Sequence, residues 1–234
     1  MCGRFVATTS PYDLANYFGA VLTPAADEVR PSYNVAPTQP VLTISQEEEE
    51  RRVVPRRWGL IPSWSKDLSV GSKMINARAE TVAEKPSFRS AFRRRRCLIP
   101  ADGFYEWTTE PAQAKRQPWF IHDSINRPLV FAGLWEHWKD AHGTGPDIET
   151  CTIITVDAGP KMAVLHHRQP VFLAEDSWEI WLDHTNDNTD ELQALLVADS
   201  GVEVDYFRVS TAVNSARSQG SSLIDPIGEP GALF

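Results

Sequence analysis

The chain has 234 residues, 42% hydrophobic and 23% charged, with a formal net charge of −8. That is enough to bury one sizeable core, and too acidic overall for a protein that coats duplex DNA by bulk electrostatics. Its three cysteines, Cys2, Cys97 and Cys151, form no CxxC pair, so neither a disulfide framework nor a zinc site is indicated. The N-terminal MCGRFVATTS lacks an apolar signal core, and no apolar run is long enough to span a bilayer, which predicts a cytoplasmic protein with no membrane partner.

Ser10, Pro11 and Asp13, followed by Leu14, Tyr17, Phe18 and then Gly19, carry the start and stop signals of a short helix. Strand-like runs follow at Val41 to Ser45, Arg52 to Arg56, Cys97 to Ile99, Gly103 to Thr108, Trp119 to His122, Leu129 to Trp135, Thr152 to Val156, Val171 to Leu173 and Val202 to Val209. They are rich in β-branched and aromatic residues. Helical patterns interrupt them near Ser87 to Arg94, Ser177 to Leu182 and Thr189 to Ala198. The irregular order predicts an α+β fold, a single domain over residues 1–234 built on a curved or barrel-like, mostly antiparallel or mixed sheet flanked by short helices. Many of the 17 prolines close strands, which predicts fixed loops around that sheet.

Charge is segregated by segment. Acidic residues gather at Glu47 to Glu50 and Asp183 to Glu191, basic ones at Arg51, Arg52, Arg56 and Arg57 and again at Arg89 and Arg93 to Arg96. Such runs are either solvated faces or the makings of a local positive groove.

Cys2 is chemically unusual by position. Removal of Met1 leaves an amine and a thiol on adjacent carbons, and the amine is partly unprotonated near neutral pH. Such an amine attacks an aldehyde to give a Schiff base, and the thiol then closes a thiazolidine ring. The alternative is an ordinary residue of a loose terminus. Cys97 and Cys151 lie in apolar strand contexts, RCLIP and CTIITV, and read as buried and inert. His122, His137, His142 and His184 have no metal-ligand spacing, so no metal and no cofactor is expected.

The ordered segments MCGRF, YNVAPTQP, RWGLIPSW, INARAET, RRCLIPADGFYEW, HHRQP and VSTAVNSAR together resemble the SRAP family, the SOS response-associated peptidases, over nearly the whole chain. The resemblance implies a covalent crosslink between the N-terminal cysteine and abasic sites in single-stranded DNA, which shields the lesion, with β-elimination and crosslink reversal as companions. It places the reactive cysteine on Cys2, the site asparagine on Asn76, the glutamate on Glu106 and the histidine on His166.

Asn76 suits holding the sugar and the new ring in register, or else is a turn or capping asparagine. Glu106, between Tyr105 and Trp107, suits a general acid that opens the closed sugar; an exposed strand glutamate is the alternative. His166 suits a proton shuttle, although adjacent His167 makes the register ambiguous. The family pattern H-x-R-M-P meets Gln169 in place of methionine, which puts packing at that edge in question. Arg4, Arg78 and Arg168 adjoin the reactive motifs and are expected to bind phosphate. Trp64 and Phe104 are expected to stack on or wedge beside bases, whereas Trp58 reads as core.

Abasic single-stranded DNA is therefore the expected partner, bound by a monomer that joins the nucleoid when on DNA. Two other readings use the same residues: a thiol peptidase or autopeptidase with Cys2 as nucleophile, and a non-covalent single-strand binding module in which Cys2 is incidental.

Overall fold

The computed structural model describes residues 2–109, 116–140 and 147–228. In chain order, β1 (Phe5–Ala7), α1 (Pro11–Phe18), β2 (Val21–Leu22), β3 (Ser32–Val35), β4 (Pro40–Glu47), β5 (Glu50–Trp58) and β6 (Asn76–Arg78) form the first third. There follow α2 (Arg89–Arg94), β7 (Arg96–Ala101), β8 (Gly103–Thr108), β9 (Gln117–Asp123), β10 (Leu129–Lys139) and β11 (Asp147–Asp157). The last part holds α3 (Pro160–Ala163), β12 (Arg168–Pro170), α4 (Trp178–Leu182), α5 (Thr189–Ala194) and β13 (Val204–Arg208).

The fold is α+β. β5, β4, β7, β10 and β11 pair antiparallel in that order, and β11 returns to β5 in parallel, closing a five-stranded mixed barrel. A second, antiparallel sheet runs β13-β9-β8-β1-β3. β11 also takes β6 in parallel, Asn76 opposite Ile153, and β12 antiparallel, Asp157 opposite Arg168. No helix among the described residues is long and apolar enough to cross a membrane.

Period-two alternation sorts the barrel side chains into two cores. Leu98, Ala132, Leu134 and Ile154 pack with Leu14, Phe18, Phe92, Trp178, Trp181 and Leu192 from the helices. Their neighbours Cys97, Ile99, Phe131, Cys151 and Ile153 instead pack with Phe5, Val35, Phe104, Trp119 and Ile121 of the second sheet. Cys97 and Cys151 are fully buried, and burial pushes the Cys97 thiol up to about 12.

α1 forms where its signals predict. Ser10 accepts from the Asp13 amide, Pro11 opens the first turn, and Gly19 closes it at φ +57°, a left-handed conformation that glycine adopts without strain. β2, β3 and β6 were not expected. The run Val171 to Leu173 makes single bridging contacts to β10 and β11, while the ladder itself falls three residues earlier, on β12.

The charge runs separate along the chain and neutralise one another in space. Across the turn between β4 and β5, Glu47 and Glu50 pair with Arg52. Arg94 meets Asp187 and Arg95 meets Glu136. Arg56 is buried, donates to Thr43, Ser45 and Glu149, and lies 4.3 Å over the Trp135 ring. Arg96, also buried, donates to the carbonyls of Phe92, Arg93, Trp181, Asp183 and Asn186. These side chains tie the fold together; on α2, Arg89, Arg93 and Arg94 are exposed, and Arg94 is the one ion-paired to Asp187.

Candidate functional site

β1 pairs with β8 through Phe5 and Phe104, and the Tyr105 amide donates to the Arg4 carbonyl at 3.0 Å. That register runs the N-terminal residues alongside Glu106. Phe104 and Glu106 project to the same face of β8, which is the inner one: they are 0% and 3% exposed. Glu106 is thus not an exposed strand residue. Burial first, then the nearby Glu106 carboxylate, push the Cys2 thiol well above its ordinary value. Burial likewise raises the Glu106 carboxyl, partly offset by the positive charge of the amino terminus.

Asn76 comes to the same point from the other side. β6 lies on β11, and the Asn76 Nδ2 donates to the Cys2 carbonyl at 2.8 Å. Its Oδ1 is buried without a hydrogen-bond partner among the described residues. Asn76 is a strand residue, neither turn nor cap. The Trp58 indole props the preceding residue, donating to the Ile75 carbonyl at 2.9 Å, and is itself fully buried in the core. Next to it Gly59 sits at φ +125°, where an added Cβ would lie 2.5 Å from the Gly71 oxygen, so the WGLIP segment can approach this loop only as glycine.

His166 follows α3. Its Nδ1 faces the Arg168 backbone, 2.9 Å from the amide nitrogen and 3.2 Å from the carbonyl oxygen. Burial, followed by the amino-terminal charge, holds the imidazole below its ordinary value. His167 stacks on it with ring centroids 4.3 Å apart. Gln169, in the position of the family methionine, is buried; it accepts from the Gly159 amide and donates to the Ala198 carbonyl, both at 2.9 Å. Two hydrogen bonds therefore replace packing at that edge.

The expected DNA contacts divide. Trp64 is 65% exposed and Arg78 is exposed at the end of β6. Arg4 is half-buried; its Nη1 donates to Asn34 Oδ1 at 2.8 Å and to the Val213 carbonyl at 3.2 Å. Phe104 has no accessible face: it packs edge-on against Phe131 and tilted against Phe172, so it serves the core and not a base. Arg168 is also not left for phosphate. Its side chain is 8% exposed and its Nη atoms are taken by Glu80, Asp157 and the Thr155 carbonyl.

Three participants were missed in the sequence. Glu80 and Asp157 clamp Arg168, and buried Asn34 donates to the carbonyls of Ser215 and Ser218, binding the VSTAVNSAR segment beneath Arg4. Glu80 stood within INARAET, but only the fold brings it to Arg168. Trp107, next to Glu106, donates to Asn214 in that same late segment. Among the described residues, no group of three His, Cys, Asp or Glu side chains is placed to hold a metal ion.

The family described as SOS response associated peptidase (SRAP) matches residues 1–216. The chain is 41% identical over 225 residues to the "Abasic site processing protein YoaM" of Bacillus subtilis, covering 96% of this chain and 98% of the relative. It is 33% identical over 239 residues to the "Abasic site processing protein HMCES" of Pongo abelii, covering 86% and 66%. A crystal structure of a protein from Bacteroides thetaiotaomicron superimposes with a TM-score of 0.84 at 25% identity, over 97% of this chain and all of that one.

Proposed function

The chain belongs to the SOS response associated peptidase family, and on that premise we propose that it processes abasic sites by forming a covalent link between Cys2 and the ring-opened sugar in single-stranded DNA. The observation that carries this reading is the convergence of residues 2, 76 and 106: the Asn76 amide holds the Cys2 carbonyl while the pairing of β1 with β8 brings the N-terminal residues alongside Glu106. The relatives' names support abasic-site processing as the broader activity.

In the chain with Met1 attached, the Cys2 nitrogen is an amide and cannot react. Once Met1 is removed, the proposed sequence begins with protonated Glu106 giving its hydrogen to the sugar ring oxygen while the C1′ hydroxyl releases its own proton to water and the ring opens to the C1′ aldehyde. The Cys2 amine attacks C1′, and loss of one water gives the imine. The thiol then adds across the C=N bond, sulfur to carbon and hydrogen to nitrogen, closing a thiazolidine. Neutral His166, with Nδ1 held by the Arg168 amide, accepts and returns protons during addition and reversal; abstraction at C2′ by the same ring would give β-elimination.

Exposed Arg78 and the outward part of Arg4 are proposed to set the strand's path through phosphate contacts, and Trp64 to stack on a base. None of these contacts reads sequence, so selectivity comes from the aldehyde. The thiol peptidase reading is weakened by the raised Cys2 thiol, because a peptidase nucleophile is used as thiolate. In the proposed route the amine attacks first, and the thiol gives its proton to the imine nitrogen as the sulfur bonds to carbon.

The test mixes Met1-processed protein, verified by mass spectrometry, with a single-stranded oligonucleotide bearing one abasic site, beside Cys2→Ala and an intact-base control. A band that survives denaturing electrophoresis and needs both Cys2 and the abasic site is expected. Its absence would sink the covalent reading and direct attention to peptide substrates.

A further inference from the structure

The two proton-handling and positioning segments of the proposed site, one carrying Asn76 and one carrying His166, are far apart in sequence and meet only on β11. Besides their pairing with β11, a charge cluster outside the reacting groups joins the two segments. Arg168 Nη1 donates to Glu80 Oε1 and to Asp157 Oδ1, each at 2.6 Å. Its Nη2 donates to Glu80 Oε2 at 3.0 Å and to the Thr155 carbonyl at 2.6 Å. The guanidinium and the Glu80 carboxylate thus form a bidentate fork, the strong, directional form of this pair.

The fork is asymmetric. The arginine side chain is 8% exposed and braced by β11 at Thr155, whereas Glu80 is 46% exposed and reaches inward only to meet it. Glu80 lies four residues after Asn76, just past β6, and Arg168 lies two after His166. The same Arg168 whose side chain grips Glu80 donates its backbone amide to the His166 Nδ1. Any slack in the fork is therefore felt at both segments.

We propose that Glu80 is a positioning residue for the covalent step, acting through Arg168 to hold the Asn76 strand and the His166 ring in one geometry. The proposal rests on the covalent reading given above. The competing role for Glu80 is a carboxylate that occupies Arg168 until a phosphate displaces it, and the two roles move different quantities.

Glu80→Gln, which keeps the shape and loses the charge, and Glu80→Ala, which loses both, are compared with unsubstituted Met1-processed protein. Crosslinking rate is measured at saturating abasic oligonucleotide, non-covalent affinity in a Cys2→Ala background across salt concentrations, and folding by thermal melting. The expected result is a saturated rate reduced about tenfold in the Gln variant and further in the Ala variant, with affinity within about twofold and the salt dependence unchanged. Tighter binding with a slope steeper by about 0.7 per phosphate gained would overturn the proposal in favour of the competitor role. A full crosslinking rate in both variants would overturn it outright. Loss of crosslinking in the unsubstituted protein would instead strike at the covalent reading itself, so the two failures are told apart in one gel.

Discussion

Asn76 binds the backbone of Cys2 through its amide nitrogen, at 2.8 Å, while its amide oxygen is buried without a partner among the described residues. One half of the side chain is taken by the Cys2 carbonyl; in the proposed reaction the other half would accept from a sugar hydroxyl or a new ring N–H. An unpaired buried acceptor costs about 1–3 kcal/mol. Asn76→Asp keeps the shape and sets a carboxylate oxygen against the Cys2 carbonyl. We expect at least a tenfold slower crosslink, measured as the single-turnover rate at saturating oligonucleotide; an unaffected rate would remove Asn76 from the site.

Glu106 should be a residue whose replacement stabilises the protein while disabling it. Its carboxyl is raised by burial, so the folded state holds the proton more tightly than the unfolded one. The sign follows: the contribution is fully present below the ordinary carboxylate value and is lost as pH rises through the raised one. At neutral pH Glu106→Gln therefore gains on the order of 1 kcal/mol, roughly 2–4 °C in melting temperature, and the gain vanishes near pH 4. Melting curves across that range check it, with crosslinking expected to fall in the same variant.

His166 predicts the acid side of the pH profile. Its value lies below the ordinary 6.5 because the ring is buried and then because the amino-terminal charge opposes a second cation. The ring stays neutral until the pH drops below that value, while the Cys2 amine titrates at higher pH in any variant; the ratio of the native rate to that of His166→Asn cancels the amine and should therefore hold through pH 6.5 and decline only at lower pH. Stability from this group falls in the same direction, since the unfolded histidine takes up its proton first. Paired rate profiles of the two proteins make the test; a ratio that already declines above pH 6.5 would contradict it.

Trp64 and Arg96 are opposite cases of large side chains. Trp64, 65% exposed, should change melting temperature little on replacement by alanine, while single-strand affinity falls by about 1–3 kcal/mol if one base stacks on it. Equal affinity by fluorescence anisotropy would exclude the stacking role.

Arg96 donates to five carbonyls from a buried position, and burial lowers its guanidinium to about 10. A lysine has three donors on one nitrogen and cannot reproduce that spread. Arg96→Lys should cost about 3 kcal/mol, in the range for breaking a buried charged network, read from denaturant unfolding with no direct effect on the chemistry.

Local signals carried much of the fold. The Ser10 cap, the Gly19 stop and the alternating runs of β8 to β11 need little tertiary context. β3 and β6 were hidden because SYNV and NAR are short and polar, and their strand state comes from partners at β1 and β11. Phe104 shows the limit of motif reading: an aromatic beside a reactive residue suggested a base wedge, but it shares the inner face of β8 with Glu106. Arg168 shows the same limit for charge, since nothing in HHRQP reveals carboxylates arriving from residues 80 and 157. The conjunction of Cys2, Asn76 and Glu106 was available only through resemblance, because the paired strands that make it come from distant parts of the chain.

The parallel return of β11 onto β5, with Thr150 opposite Arg57, gives the molecule a topological lock. Closing it joins points more than ninety residues apart, and the entropy of such a loop must be met before its contacts repay anything. β6 and β12 both register on β11, so Asn76 and His166 have no shared frame until that closure happens. Partly folded chains should accordingly be chemically silent, and regain of crosslinking during refolding should track the slow, global phase. The proposed crosslinking would then serve as a clock for barrel closure.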